Sequence, residues 1–231
     1  MDKPSSLHLA IIPDGNRRWA KNRSLHPWKG HEQAIENFRS ITEWCRNDPR
    51  VNILTVWCFS TENWKRDPKE IEMLMKMLED YLRKEQEGFI EKKTKSLHSG
   101  RKDRIPSSLA QLIEEVEKKT ADQSEFTLHL AVDYGGKDEI IRAINKISVT
   151  EDCDLPLRSE NGIREHLDHP ELSDIDLIIR TSGEQRTSNF FLWQTVHSEW
   201  VFNNKLFPDF EVSDLESAVD DFANRTRRFG S

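Results

Sequence analysis

Four short stretches of this chain carry residues able to do chemistry, and each follows an apolar run. The first is Asp14-Gly15-Asn16-Arg17-Arg18-Trp19. It puts a carboxylate at the carboxyl end of a strand, a flexible backbone beside it and fixed positive charge just behind. Such a site can hold a metal ion and a phosphate together. Mg²⁺ takes one or two carboxylates and fills its shell with water and phosphate oxygens, so a lone aspartate beside a diphosphate suits it better than a full protein cage. The second stretch is Ser60-Thr61-Glu62-Asn63-Trp64-Lys65-Arg66. Asn63 is neutral and hydrogen-bonds on both sides, which suits positioning a pyrophosphate or helping to remove a proton. The third is Asp133-Tyr134-Gly135-Gly136-Lys137. The fourth covers residues 180–189: Arg180 and Arg186 flank a Ser-Gly turn and Ser188 follows. Guanidinium forks, a hydroxyl and backbone amides suit a diphosphate.

Each residue also has a plainer role. Asp14 is a candidate helix N-cap. Residues 60–66 can form a helix-capping loop around a packed Trp, and Thr181-Ser182-Gly183 a simple turn with Glu184 paired to an arginine. His31 follows Gly30 at a helix start, and lone histidines are more often structural than catalytic. His197 and Glu199 are surface or capping residues by default. Agreement among the stretches outweighs these readings, because four polar loops at one edge of a sheet make an anion site with a carboxylate in it.

The elements that position these loops are legible as apolar runs. Residues 7–12, 51–59, 126–132 and 175–179 read as strands, with a weaker fifth at 200–202. They are near-continuous rather than strictly alternating, which suits a parallel sheet covered on both faces. Helical periods occupy 32–45, 68–87, 109–120, 137–147 and 213–225. In 68–87 the stripe is Ile71, Leu74, Met75, Leu78 and Leu82, widened by Met77 and Tyr81. The alternation predicts crossover units and one open, mostly parallel α/β sheet flanked by helices. The charged stretch 84–104 reads as a solvated helix end plus a loop. In such sheets ligands bind beyond the carboxyl ends of the strands, which is where the four polar stretches fall.

The 231 residues, 35% hydrophobic and 32% charged, fit a single domain over 1–231 with a substantial core. No apolar run approaches the ~20 residues of a membrane span, and the N-terminus lacks a signal-peptide core. Cys45, Cys58 and Cys153 show no metal or redox spacing, predicting reduced thiols in a cytoplasmic protein. A net charge of −7 argues against bulk nucleic-acid binding but leaves room for a local cationic pocket. Neither a Walker loop nor a Gly-x-Gly-x-x-Gly fingerprint is present to support a nucleotide-binding protein or phosphohydrolase.

Together these blocks resemble the cis-prenyltransferase (undecaprenyl diphosphate synthase) family. The matching segments, in family order, are 14–19, Gly30-His31, 59–66, Tyr134-Gly135-Gly136 and 176–184 with Arg186, Ser188, Asn189 and Leu192-Trp193-Gln194. Glu199, Phe207-Pro208-Asp209-Phe210 and Arg227-Arg228-Phe229-Gly230 complete the set. The Asp-Asp-x-x-Asp motif of trans-prenyltransferases is absent; the nearest string, from Asp220, ends in Asn224.

The resemblance implies repeated head-to-tail condensation of isopentenyl diphosphate onto an allylic prenyl diphosphate. It implies a Mg²⁺-dependent homodimer with an apolar tunnel and a hydrophobic product that brings it only peripherally to a membrane. Asp14 would hold Mg²⁺ and assist departure of the allylic diphosphate. Glu199 would support the metal, in the family sometimes from near the subunit boundary. Gly15, Asn16, Arg17 and Arg18 would bind the allylic diphosphate, with His31 close by. Ser60, Asn63 and Arg66, in the block with Thr61, Glu62 and Trp64, would orient both substrates, and Arg180, Arg186 and Ser188 would bind isopentenyl diphosphate. Trp19, Trp64, Phe59 and the helix 71–82 would line or flank the tunnel. Cys58 would face it from the second strand, favouring a channel open beyond that point. The chain departs from the family pattern at Pro27, where an arginine is usual and Lys29 or Arg23 are candidate substitutes. It departs also at Ala34 (usually Gly), Asp133 (usually Asn) and Gln185 (His in some members). Some relatives lose the catalytic residues and act as non-catalytic subunits of heteromers. The retained Asp14, Asn63, Arg180, Arg186 and Ser188 rank that reading second.

Overall fold

The structure, a computed structural model, describes residues 6–149 and 160–225. Strand β1 (Leu7–Ile12) leads to helices α1 (Asn16–Asn22) and α2 (Pro27–Asn47), then strand β2 (Val51–Ser60), a 3-10 turn over Thr61–Lys65 and helix α3 (Pro68–Glu91). Strand β3 (Thr94–Ser99), helix α4 (Ser107–Lys119), strand β4 (Phe126–Tyr134) and helices α5 (Gly136–Val149) and α6 (Glu160–Arg164) follow. Strands β5 (Leu177–Arg180) and β6 (Glu199–Phe202), a 3-10 turn over Phe207–Asp209 and helix α7 (Val212–Asn224) complete the described chain. The strands make one open sheet in the order β3-β4-β2-β1-β5-β6, with every pairing parallel.

This order creates a switch point between β1 and β5. The sheet grows from β1 through β2 and β4 to β3 on one side, and through β5 to β6 on the other. Ligands bind in the crevice at such a point, beyond the carboxyl ends of the strands. Ile12 pairs with Arg180 there, so the chain leaves both strands at the same level.

Side chains alternate across the sheet. Leu9, Ile11, Leu54, Val56 and Leu128 enter the large core, which α2, α3, α4 and α7 complete with residues such as Phe38, Met75, Leu109 and Leu215. Ala10, Ile12, Ala131 and Ile178 face the other way, against Phe190 and Phe191. Among the described residues that second hydrophobic cluster draws on no helix; α5 meets this face through Glu139, which accepts the Tyr134 hydroxyl. The second face also carries a buried polar chain. His8 is hydrogen-bonded to Thr55 (2.7 Å), Thr55 to His129 (3.0 Å) and His129 to Ser99 (2.8 Å), tying four strands through side chains.

The expectation of a helix end plus a loop over 84–104 is corrected: α3 runs to Glu91 and β3 adds an edge strand. Thr94-Lys95-Ser96-Leu97-His98-Ser99 holds one aliphatic residue, so it gives no apolar signal. Its stability comes from its neighbours. The Ser96 N–H donates to Thr120 Oγ1 (3.0 Å) and the His98 N–H to Glu117 Oε1 (2.8 Å), so side chains at the end of α4 satisfy the edge that no strand covers. Asp133 and Tyr134, read as loop, close β4 instead. Cys45 and Cys58 are free thiols, whereas Cys153 and the Arg227-Arg228-Phe229-Gly230 block lie outside the described residues. Among the described residues no helix is long and apolar enough to cross a membrane.

Candidate active site

The chain turns sharply after β1. Gly15 sits at φ 103°, in the left-handed region, and a Cβ there would lie 2.8 Å from Leu206. The turn leaves Gly15, not Asp14, as the N-cap of α1, so the capping role for Asp14 falls away. Asp14 is fixed from across the switch point instead. Its N–H donates to Thr181 Oγ1 (2.9 Å), and its carbonyl accepts from that hydroxyl (2.8 Å) and from the Phe207 N–H (3.0 Å).

Arg180 is the buried hub, with 4% exposure. One guanidinium nitrogen donates to Asp14 Oδ2 (2.9 Å); the other donates to Ser188 Oγ (2.8 Å) and the Arg186 carbonyl (2.5 Å). Its Nε is buried without a partner. Arg180 therefore orders Asp14 and Ser188 before any ligand arrives. Arg186 itself is exposed. It pairs with Glu184, which also accepts Arg18 at 3.5 Å, so these side chains form an outer charged ring.

The turn after β2 is tied by its own side chains. Asn63 Oδ1 accepts the Ser60 N–H (3.2 Å), and Ser60 reciprocates in a capping box. That leaves Asn63 Nδ2 and the second lone pair of Oδ1 for a ligand. Glu62 accepts from Asn189 Nδ2 (3.0 Å) and the Thr61 hydroxyl (3.1 Å). Trp64 donates its indole N–H to Asp133 Oδ1 (2.8 Å) and meets Phe59 edge to face. Asp133 is fully buried, and Arg104 pairs with both of its oxygens (2.5 and 2.8 Å). The carboxylate at this position is thus answered by a dedicated cation.

Helices α2 and α3 close the remaining side. A Cβ on Gly30 would lie 2.0 Å from the Asn16 carbonyl oxygen, so only glycine lets α2 approach this closely. The approach brings His31 Nδ1 to 3.5 Å from Asn16 Nδ2. Glu70, in the first turn of α3, was not singled out from sequence. It sits among Arg17 (3.5 Å), Arg66 (3.5 Å) and His31 Nε2 (3.7 Å). His31 and these two guanidiniums hold its carboxyl below the usual range. The signal available was its spacing, four residues after Arg66.

Asp14, Asn16, His31, Ser60, Glu62, Asn63, Arg66, Arg180 and Ser188 ring one polar cavity of about 470 Å³. Asp14, Asn16, His31 and Arg66 are shared with an outer cavity of about 640 Å³, which Gly15, Arg17 and Arg18 also line. Pro27 lines it too. Neither candidate substitute for an arginine there is among the residues lining this cavity; Arg23 pairs with Asp209 and Lys29 with Glu32. Lys21 lines the cavity instead. Asn16, His31 and Cys58 are shared with a narrow apolar groove of about 90 Å³ between α2 and α3. Cys58 faces it as expected, and burial pushes its thiol up to about 12.

Some expected residues stand elsewhere. Trp19 donates to Asp209 Oδ1 (2.7 Å) with Arg23 over its ring, on the outside of α1. Trp64 and Thr61 brace the turn after β2, and Trp64 flanks the polar cavity through Phe59, which lines it. Glu199 pairs with Arg225 and stands level with Leu177 at the start of β5, so one chain does not bring it to Asp14.

The comparisons agree with this geometry. The family model described as putative undecaprenyl diphosphate synthase matches residues 12–230. The isoprenyl transferase of Treponema pallidum is 41% identical, the match covering 96% of this chain and 98% of the relative. That of Clostridium tetani is 42% identical, over 96% of this chain and 88% of the relative. The crystal structure of lavandulyl diphosphate synthase from Lavandula x intermedia, in complex with dimethylallyl diphosphate, superposes with a TM-score of 0.92 at 34% identity, covering all of both chains. A probable undecaprenyl diphosphate synthase from Campylobacter jejuni superposes at 0.81 with 30% identity, again over both full chains. A switch-point anion site opening onto an apolar groove, on this sheet and with these relatives, places the chain in the undecaprenyl diphosphate synthase family, as a prenyl-transferring enzyme of the cis-prenyl diphosphate synthase type.

Proposed function

We propose that the enzyme joins isopentenyl diphosphate head to tail to an allylic diphosphate, releasing diphosphate, with Mg²⁺ held at Asp14. One observation carries the reading: a cavity of arginines, amides and the Asp14 and Glu62 carboxylates shares Asn16, His31 and Cys58 with an apolar groove. A diphosphate needs the first and a prenyl tail the second.

The residues fit a magnesium ion. Arg180 takes Asp14 Oδ2, which leaves Oδ1 for a cation, and the buried Asn16 Oδ1 lacks a partner. Bound Mg²⁺ would neutralise charge on the departing diphosphate. Arg17, Arg18 and Arg66 bind the allylic diphosphate, displacing Glu70 and Glu184 as their anionic partners. Ser188 and Arg186, ordered by Arg180, bind the second diphosphate. Asn63 donates from Nδ2 to a diphosphate oxygen and so orients substrate. The groove keeps water from the allylic centre. A second copy is proposed to cover the edge strand β6, where Trp200 and Phe202 stack and Phe202 is exposed. Glu199 on that strand would then act near the subunit boundary.

The test is incubation with Mg²⁺, radiolabelled isopentenyl diphosphate and a panel of allylic diphosphates, resolving products by length. Incorporation abolished by EDTA and by Asp14→Ala supports the reading; no incorporation with any primer overturns it.

A further inference from the structure

The segment that carries Ser188 is held in a disfavoured backbone shape. Ser188 sits at φ 53°, Asn189 at φ 70° and Phe191 at φ 31°. None of them is glycine, and L side chains resist the left-handed region. Such a run persists only where its surroundings over-determine it.

The surroundings do so here. At one end Arg180 donates to Ser188 Oγ (2.8 Å). At the other the Phe191 ring stacks on Tyr134, with centroids 4.0 Å apart. Asn189 stands between them at the cavity wall and uses both ends of its side-chain amide. Its Oδ1 accepts the Lys137 N–H (2.8 Å), and its main-chain carbonyl accepts the Gly136 N–H (2.7 Å). Both N–H groups belong to the first turn of α5, where a helix offers no internal partner. Its Nδ2 donates to Glu62 Oε1 (3.0 Å) in the turn after β2. An N–H on one side and a carboxylate on the other fix which way the amide points. Gly135 permits the meeting: a Cβ there would lie 2.6 Å from Thr61 Oγ1 and 2.7 Å from Asn189 Nδ2. Asn189 is thus where the polar stretches after β2, β4 and β5 are joined.

Resting on the function proposed above, we propose that Asn189 is a positioning residue. It locks the loop bearing Arg186 and Ser188 against α5 and Glu62, and so shapes the isopentenyl diphosphate side of the cavity. The turn after β2 has braces of its own, the capping box of Ser60 and Asn63 and the Trp64–Asp133 hydrogen bond. Arg17 and Arg18 stand on α1, away from Asn189. Loss of the Asn189 bonds therefore frees the loop and leaves the allylic side in place. The signature is selective, whereas general misfolding weakens both substrates together.

The test swaps the two groups. Asn189→Asp tolerates the left-handed backbone and still accepts the Lys137 N–H, but it loses the donor and sets a second carboxylate against Glu62. Binding is titrated calorimetrically with Mg²⁺ present, isopentenyl diphosphate being added beside an unreactive thiolo analogue of the allylic diphosphate. The dissociation constant for isopentenyl diphosphate should rise at least about fivefold. That for the allylic analogue should stay within about threefold. Adding Glu62→Gln returns a donor to the pair with its polarity reversed, and should recover at least about threefold of the loss. Asn189→Gly takes the backbone shape freely and lacks both side-chain bonds. It should show the same selective loss, and it carries the test if Asn189→Asp does not fold. Equal weakening of both substrates, unchanged isopentenyl diphosphate binding, or no recovery in the double variant would overturn the positioning role and leave the reaction standing. Wild-type enzyme that binds no isopentenyl diphosphate would overturn the reaction and this role with it.

Discussion

The polar cavity and the apolar groove share Asn16 and His31 yet are built on opposite principles. In the cavity, position is set by directional bonds. Arg180 grips Asp14 and Ser188, Glu70 gathers Arg17, Arg66 and His31, and Glu184 spans Arg18 and Arg186. Arg180 is ordered by fixed bonds, whereas Glu70 and Glu184 hold the outer cations in ion pairs. In the groove, position is set by volume. Its walls are aliphatic and aromatic side chains whose size decides what enters. A single lost contact should therefore be severe in the cavity and graded in the groove.

The largest expected effect tests the cavity. Asp14→Ala should lower turnover by about 10³-fold or more, as loss of a principal transition-state charge stabiliser does. Its thermal unfolding temperature should fall as well, because the buried Arg180 guanidinium loses its carboxylate. Asp14→Asn, which keeps an oxygen for Arg180, should lose turnover with a much smaller shift in unfolding; an equal shift would break the distinction between a site built for chemistry and one built for stability.

Acid should erase both regions at once, by a route through neither. Burial lowers His8 and His98 to about 4, below the ordinary value of 6.5. Between those values the unfolded chain binds protons that the folded chain refuses. Stability is therefore full above pH 6.5, falls as pH drops toward 4, and loses nothing further from these groups below that. Each costs about 3 kcal/mol across the window. Denaturant unfolding at pH 7 and pH 4.5 measures it, and His8→Gln should flatten the slope.

A smaller effect sharpens the contrast at its border. Arg104→Ala leaves the buried Asp133 carboxylate without its cation. Unfolding stability should fall by about 2 kcal/mol, less than for a fully buried pair because Arg104 is 38% exposed. Adding Asp133→Asn should restore most of that, since a neutral amide still accepts the Trp64 N–H. The smallest effect is at Trp19. Trp19→Phe removes the hydrogen bond to Asp209 outside the cavities, so KM for either substrate should move by less than about threefold while stability drops by about 1 kcal/mol.

Much of this molecule is local and was legible in the residues. Strands such as 126–132 announced themselves because both faces of a parallel strand are buried, so apolar residues run on without alternation. The stripe on α3 was visible because helical period survives in any core-facing helix. Asp14, Asn63, Arg66, Arg180 and Ser188 were found because each follows a strand, and a parallel sheet delivers every such loop to one edge. Tertiary structure alone decided the rest. β3 is polar, and it is a strand because Thr120 and Glu117 at the far end of the following helix fold back to satisfy its open edge. Trp19 sits within a motif yet faces away, because the turn at Gly15 sets the phase of α1. Glu70 joins the site only when α3 docks beside Arg17. Tyr81 reads as one more apolar residue of the stripe; its ring meets Phe38 of α2 and lines the groove, because a cavity belongs to two helices together and to neither sequence alone.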